Sequence, residues 1–147
     1  MDKKKFKVGY TTGVFDLFHI GHLNILHRSK ELCEYLIVGV STDELVQSYK
    51  NRTPVIPYEE RVEIVRAIRY VDQVVPQETR DKLAAHDEFR FDVMFVGDDW
   101  KGSKLFEQVE TELKKRDSNV VYFPYTQTTS STLLTEALEC LIKRHKE

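Results

Sequence analysis

With 147 residues, 41% hydrophobic and 31% charged, the chain has the make-up of a soluble globular protein long enough to bury a core. Its net charge of −2 lacks the basic surplus of a typical nucleic-acid binder, while small anionic ligands need only local positive charge. No apolar run approaches the roughly 18 residues of a membrane span, so neither nucleic acid nor a membrane is expected as a partner.

The basic start, Met1–Lys7, leads into a strand pattern interrupted by Gly9 and reads as a solvated lead-in rather than a signal-peptide core. Lys7–Thr12 predicts a strand, Gly13 a tight turn, and an amphipathic pattern predicts a helix from about His22 to Glu34. Tyr35–Val40 is a near-continuous apolar run, as in a strand buried on both faces. Ser41, with Glu44 three residues on, reads as the capping box of a short helix. Lys50–Pro57 is the longest stretch without periodicity and carries two cations, Lys50 and Arg52. A helix is expected from Pro57, then a strand at Val71–Val75 and a weaker helix at Thr79–Phe89. Asp92–Val96 predicts a strand ending at Gly97-Asp98-Asp99-Trp100, followed by a helix over Leu105–Arg116. Asn119–Tyr125 is the last expected strand, and the final helix begins near Ser130–Thr132.

Five β runs alternating with helices predict a single α/β domain over residues 1–147. The expected architecture is a Rossmann-like, mainly parallel sheet with helices on both faces. In such sheets ligands bind beyond the carboxyl ends of the strands, where the strand order reverses. Cys33 and Cys140 both fall in helical patterns beside apolar neighbours, which predicts buried free thiols and a cytoplasmic protein.

The segment between the first strand and the first helix holds His19 and His22, with Gly21 directly before the second. A strand, a turn and a helix N-terminus point free N–H groups and the helix dipole at one spot. Imidazoles there can donate to phosphate oxygens and stabilise charge that develops in a transition state. The pattern therefore reads as a nucleotide phosphate site. His27, His86 and His145 lie within helical patterns and read as packing or solvent-facing residues.

The run Gly13-Val14-Phe15-Asp16-Leu17-Phe18-His19-Ile20-Gly21-His22 resembles the His-x-Gly-His signature of the nucleotidyltransferase superfamily. Within it the chain most resembles the bacterial glycerol-3-phosphate cytidylyltransferases over nearly its whole length. Ser41–Glu44, Tyr58–Arg61, Ile68–Asp72 and Gly97–Trp100 stand in the order and spacing of that family. The resemblance implies that a phosphate monoester attacks the α-phosphorus of CTP in line and pyrophosphate leaves. Such a nucleophile needs no general base, so positioning and charge neutralisation carry the catalysis.

By that resemblance His19 and His22 hold the triphosphate and stabilise the pentacoordinate phosphorus. The backbone of Val14 and Phe15 lies beside the nucleotide, and Mg²⁺ bridges the phosphates without a dedicated protein cage. Lys50 and Arg52 match a basic pair that divides between the acceptor phosphate and CTP. Arg61 and Arg69, expected on one helix, suit the acceptor phosphate, a dimer contact or a surface ion pair; Lys82 matches an acceptor-binding lysine. Asp99 suits recognition of the cytosine amino group. A homodimer is also implied.

The last motif departs from the pattern. Where the family reads Arg-Thr-x-Gly-Ile-Ser-Thr-Thr, this chain reads Tyr125-Thr126-Gln127-Thr128-Thr129-Ser130-Ser131-Thr132. The hydroxyls of Ser130, Ser131 and Thr132 with a helix N-terminus still suit a phosphate cradle, and Tyr125 and Thr126 remain beside the nucleotide. Losing the arginine removes a fixed charge and a bidentate donor. Two alternatives to cytidylyl transfer to glycerol 3-phosphate therefore stay open. One is adenylyl transfer from ATP, since the histidine pair is blind to the base; the other is a nucleotide-binding module with degraded catalysis.

Overall fold

The computed structural model describes residues 4–124 and 129–146. Five parallel strands are joined by helices: β1 Phe6–Gly13, α1 Ile20–Leu32, β2 Cys33–Ser41, α2 Asp43–Lys50, α3 Tyr58–Arg66, β3 Gln73–Gln77, α4 Lys82–Phe89, β4 Val93–Gly97, α5 Lys104–Lys115, β5 Asn119–Phe123 and α6 Ser131–Lys146. The sheet order is β3-β2-β1-β4-β5, so the chain runs outward one way to β3 and returns to build the other side from β4. The reversal lies between β1 and β4, whose register sets Thr11 opposite Phe95. That is where an open α/β sheet leaves a crevice at its carboxyl edge.

Side chains alternate between two cores, as the two-residue period of a strand requires. Leu36, Val38 and Val40 of β2 join Val93 and Phe95 of β4 beneath Leu26 of α1 and Val62 and Val65 of α3. Ile37 and Met94 point the other way, with Tyr10 of β1, against Phe106, Val109 and Leu113 of α5. Gly9 lies where β1 is tightest: a Cβ there would stand 2.6 Å from the Phe95 ring and 2.7 Å from the Cys33 sulfur.

Several boundaries differ from the sequence reading. The first cap of α2 is Thr42, whose hydroxyl accepts from Leu45 N, because Ser41 is the last residue of β2 and donates to Gln77 Oε1 at 2.6 Å. β3 lies two residues later than expected, and α4 starts only at Lys82, capped by Asp81. α3 ends at Arg66, so Arg69 is not on the helix that carries Arg61. Cys33 is buried but opens β2, and Cys140 is exposed on α6. His86 is buried against Phe91 and Arg116, whereas His27 is an outer residue paired with Glu31 and stacked on Tyr70. The side chain of His145 lies outside the described residues. Among the described residues, no helix is long and apolar enough to cross a membrane.

Candidate active site

The turn after β1 is built by bulky residues. Phe15 and Leu17 take φ of 55° and 49°, the region glycine usually fills. Gly13, expected to make the turn, instead ends β1 and allows close packing: a Cβ there would press on the Phe15 ring at 3.0 Å. Between the two strained residues lies Asp16, 9% exposed, whose carboxylate accepts from Val55 N at 2.8 Å and Ile56 N at 2.9 Å. The Asp16 carbonyl accepts from Ser131 Oγ at 2.6 Å. One residue thereby ties the histidine turn to the far end of the basic loop and to the start of α6. The sequence reading missed it, since an acid after a turn has no local signal of such reach.

The helix α1 starts at Ile20 with His19 as its cap. His19 Nδ1 accepts from Gly21 N at 3.0 Å, and His22 Nδ1 accepts from the His19 N–H at 3.1 Å, closing a reciprocal box. An imidazole whose Nδ1 accepts carries its proton on Nε2 when neutral. Both rings are held in that neutral form. Burial lowers His22 to about 4, with His19 adding to the shift and Asp16 opposing it, and burial also lowers His19. The ring centroids are 4.0 Å apart, and Phe15 and Phe18 flank His22 at 5.4 and 5.2 Å. The histidine pair therefore offers two Nε2–H donors whose other nitrogen is fixed by the helix start.

A cavity of about 1400 Å³ opens at the carboxyl edge of the sheet. Val14, Phe15, His22, Lys50, Arg52, Lys82, Ser131 and Thr132 line it, so most of the expected site residues meet in one place. Lys82 donates to Thr12 Oγ1 at 3.2 Å, and burial, with Arg80 adding, lowers its ammonium to about 8. Lys50 is lowered first by burial and then by Arg52. Arg80 and Lys104 also line the cavity and were absent from the sequence reading. Among the described residues, neither Lys50, Arg52, Arg80 nor Lys82 has an acidic partner. Clustered cations without salt-bridge partners, only Lys50 feeling an opposing pull from Asp16, are poised for an anionic ligand.

Four expectations are revised. Arg61 does not line the cavity. Its side chain is fully buried and donates to Val14 O at 2.7 Å, Ser41 O at 2.8 Å, Ile56 O at 2.9 Å and Asp43 Oδ1 at 2.6 Å. It positions the backbone beneath the cavity rather than meeting a ligand. Asp99 is exposed in a single 3₁₀ turn (Asp98–Trp100) and stands outside the cavity wall, which Gly97 and Trp100 line instead. His19 and Ser130 are not wall residues; His19 abuts His22, and Ser130 Oγ caps α6 by accepting from Leu133 N at 3.1 Å. Tyr125 and Thr126 lie outside the described residues.

The wall also bears on a metal. Among the described residues, no three His, Cys, Asp or Glu side chains converge to hold an ion, and the Asp16 carboxylate is engaged by backbone N–H groups. A divalent ion here would have to arrive with ligands of its own, as Mg²⁺ does on phosphate oxygens.

Comparisons with known proteins agree with this geometry. Residues 10–139 match the family described as cytidylyltransferase-like. The glycerol-3-phosphate cytidylyltransferase of Bacillus subtilis strain 168 is 38% identical over 129 residues, covering 87% of this chain and 94% of that one. The FAD synthase of Thermococcus kodakarensis is 38% identical over 133 residues, 85% of each chain. A crystal structure of the lipopolysaccharide core biosynthesis protein from Thermoplasma volcanium has the same fold, with a TM-score of 0.69 at 22% identity over 84% of this chain and 99% of that one.

Proposed function

The chain belongs to the cytidylyltransferase-like family, and on that premise we propose that it transfers CMP from CTP to a small phosphorylated alcohol, glycerol 3-phosphate first among them. The observation that carries this reading is the His22 ring, locked to His19 at the start of α1, sharing one cavity with cations that have no salt-bridge partner among the described residues. An oxygen of the acceptor phosphate attacks the α-phosphorus, the bond to the β-phosphate breaks, and pyrophosphate leaves with the electron pair. The barrier is largely the repulsion between two phosphate groups and the charge that builds on the equatorial oxygens.

Each part of the site answers one of those needs. The Nε2–H groups of His19 and His22 donate to the triphosphate without adding a full charge, and their bond to the helix start keeps them aimed before the substrate arrives. Arg52 and Lys50 neutralise the incoming phosphates, and Lys82 holds the acceptor beside the end of β1. Val14 and Phe15 support the nucleotide through main chain that Arg61 fixes from below. Thr132 and Ser131, at the start of α6, complete the phosphate cradle; Tyr125, Thr126 and Asp99 are assigned to the nucleotide only through the motifs in which they stand. Mg²⁺, for which the described residues offer no cage of their own, would enter with the nucleotide and would add charge neutralisation. A homodimer is part of the proposal, and sedimentation of the purified protein tests it.

The test is pyrophosphate release from glycerol 3-phosphate with each of the four nucleoside triphosphates. CTP should turn over at least an order of magnitude faster than ATP. The Thermococcus relative favours a second reading, because FAD carries an adenylyl group. Faster turnover of ATP with FMN than of CTP with glycerol 3-phosphate would establish that reading instead.

A further inference from the structure

Arg80 stands between β3 and α4 on the cavity wall. Its guanidinium lies 4.4 Å from the centre of the Tyr49 ring, at the end of α2, and the Lys50 ammonium is 5.8 Å from the same ring. Stacking on an aromatic face holds a guanidinium in place while leaving its N–H groups, which lie in the plane at its edge, free to donate. Among the described residues, Arg80 has neither an ion pair nor a hydrogen bond. The nearest acid in sequence, Asp81, is turned into α4, where its Oδ1 accepts from Leu83 N and Ala84 N. Arg80 is close enough that its charge weakens the proton affinity of Lys82, second to burial, and more weakly that of Lys50, behind burial and Arg52. The protein thus keeps an oriented, unneutralised guanidinium among like charges, which costs stability unless an anion joins it.

The strand order says which anion. The histidine turn follows β1 and the start of α6 is bonded to it, so nucleotide phosphates belong at the β1/β4 crevice. Arg80 follows β3, two strands away and on the opposite side of β1 from β4. Given the nucleotidyl-transfer reading above, on which this inference rests, we propose that Arg80, seated on Tyr49, binds the phosphate of the acceptor. Tyr49 acts as its positioning residue: the ring fixes the plane from which two adjacent N–H groups can meet two oxygens of a phosphate monoester. Lys82 then approaches the same group from the β1 side as a point charge.

Kinetics of the full chain test this with Arg80→Ala, Tyr49→Ala and Tyr49→Phe. Removing hydrogen bonds to a charged group should raise the acceptor KM by about 10-fold or more for Arg80→Ala. The KM for the nucleotide should stay within about twofold, and thermal stability should not fall. Tyr49→Phe, which keeps the ring, should behave as wild type, while Tyr49→Ala should reproduce part of the acceptor defect. An Arg80→Ala enzyme that loses affinity for the nucleotide, or keeps its acceptor KM, would overturn the proposal. Calorimetric titration of inorganic phosphate into the protein, with and without CTP, gives a readout that needs no turnover. Weaker phosphate binding by Arg80→Ala supports the assignment even if no acceptor is turned over, a result that would sink the transfer reading alone; equal binding by variant and wild type refutes the assignment.

Discussion

The turn after β1 holds its polar groups in pairs, whereas the wall formed by Lys50, Arg52, Arg80 and Lys82 leaves its charges facing one another. In the turn, His19, His22 and Asp16 each bond a backbone N–H, and Arg61 beneath them bonds three carbonyls and a carboxylate. On the cation wall, Lys82 has a single hydroxyl partner, while Lys50 and Arg80 rest on one aromatic ring. Geometry is fixed by the first region at some cost in strain at Phe15 and Leu17. Charge is stored by the second. The difference separates what aims the reacting phosphates from what draws them together.

Breaking the paired region should cost the most. Arg61→Leu leaves three carbonyls and Asp43 without this buried donor and should lower unfolding free energy by about 3 kcal/mol, read by urea denaturation. A loss within experimental error would mean that the buried guanidinium does not organise this region. His22→Ala should lower kcat by about 10²–10³, as removal of an aligned transition-state donor does, while costing only about 1 kcal/mol of helix-start stability. A variant with near-normal kcat would remove the imidazole pair from the chemistry.

The contrast sharpens with pH. His22 is neutral in the fold down to about 4, against an ordinary value of 6.5, so in that window the unfolded chain binds the extra proton. Stability should therefore rise as pH climbs from about 4 to 6.5, and His22→Ala should flatten the rise. Lys82 works in the other direction for function. It loses its proton near 8 instead of 10.5, so the acceptor KM should increase above pH 8, by up to about tenfold per unit, and Lys82→Met should abolish that increase. The smallest effect is expected in stability on the cation wall: Lys50→Ala should change the unfolding free energy by less than about 0.5 kcal/mol, or raise it, as relief of like-charge repulsion. A clear loss would show that the lysine has a structural partner after all.

How far the sequence went follows the same division. The strand–helix alternation and the histidine spacing were legible because both are local: a two-residue period, a turn, a helix start. The cap of α2 was placed one residue early because Ser41 and Thr42 are both hydroxyl residues; pairing of Ser41 with Gln77 across β2 and β3 decides between them, and that is a tertiary fact. Arg61 reads from the sequence as a residue for the acceptor phosphate, a dimer contact or a surface ion pair, and its buried role was hidden because its partners Val14, Ser41 and Asp43 come from distant segments. Arg80 was hidden for a related reason. The expected helix began at Thr79, whereas α4 begins at Lys82, leaving Arg80 in the connection where it can lie on Tyr49.

Central to the proposed reaction is transfer at the nucleotide's α-phosphate by a nucleophilic acceptor phosphate. Isotope tracking tests it most directly, using glycerol 3-phosphate labelled with ¹⁸O on its non-bridging oxygens and unlabelled CTP, with ³¹P NMR of the products. In-line attack by the acceptor phosphate should give CDP-glycerol with one label in the bridge between its phosphorus atoms, the remaining labels on the glycerol-linked phosphorus, and none in pyrophosphate. Label in pyrophosphate, or products of attack at the β- or γ-phosphorus, would contradict it.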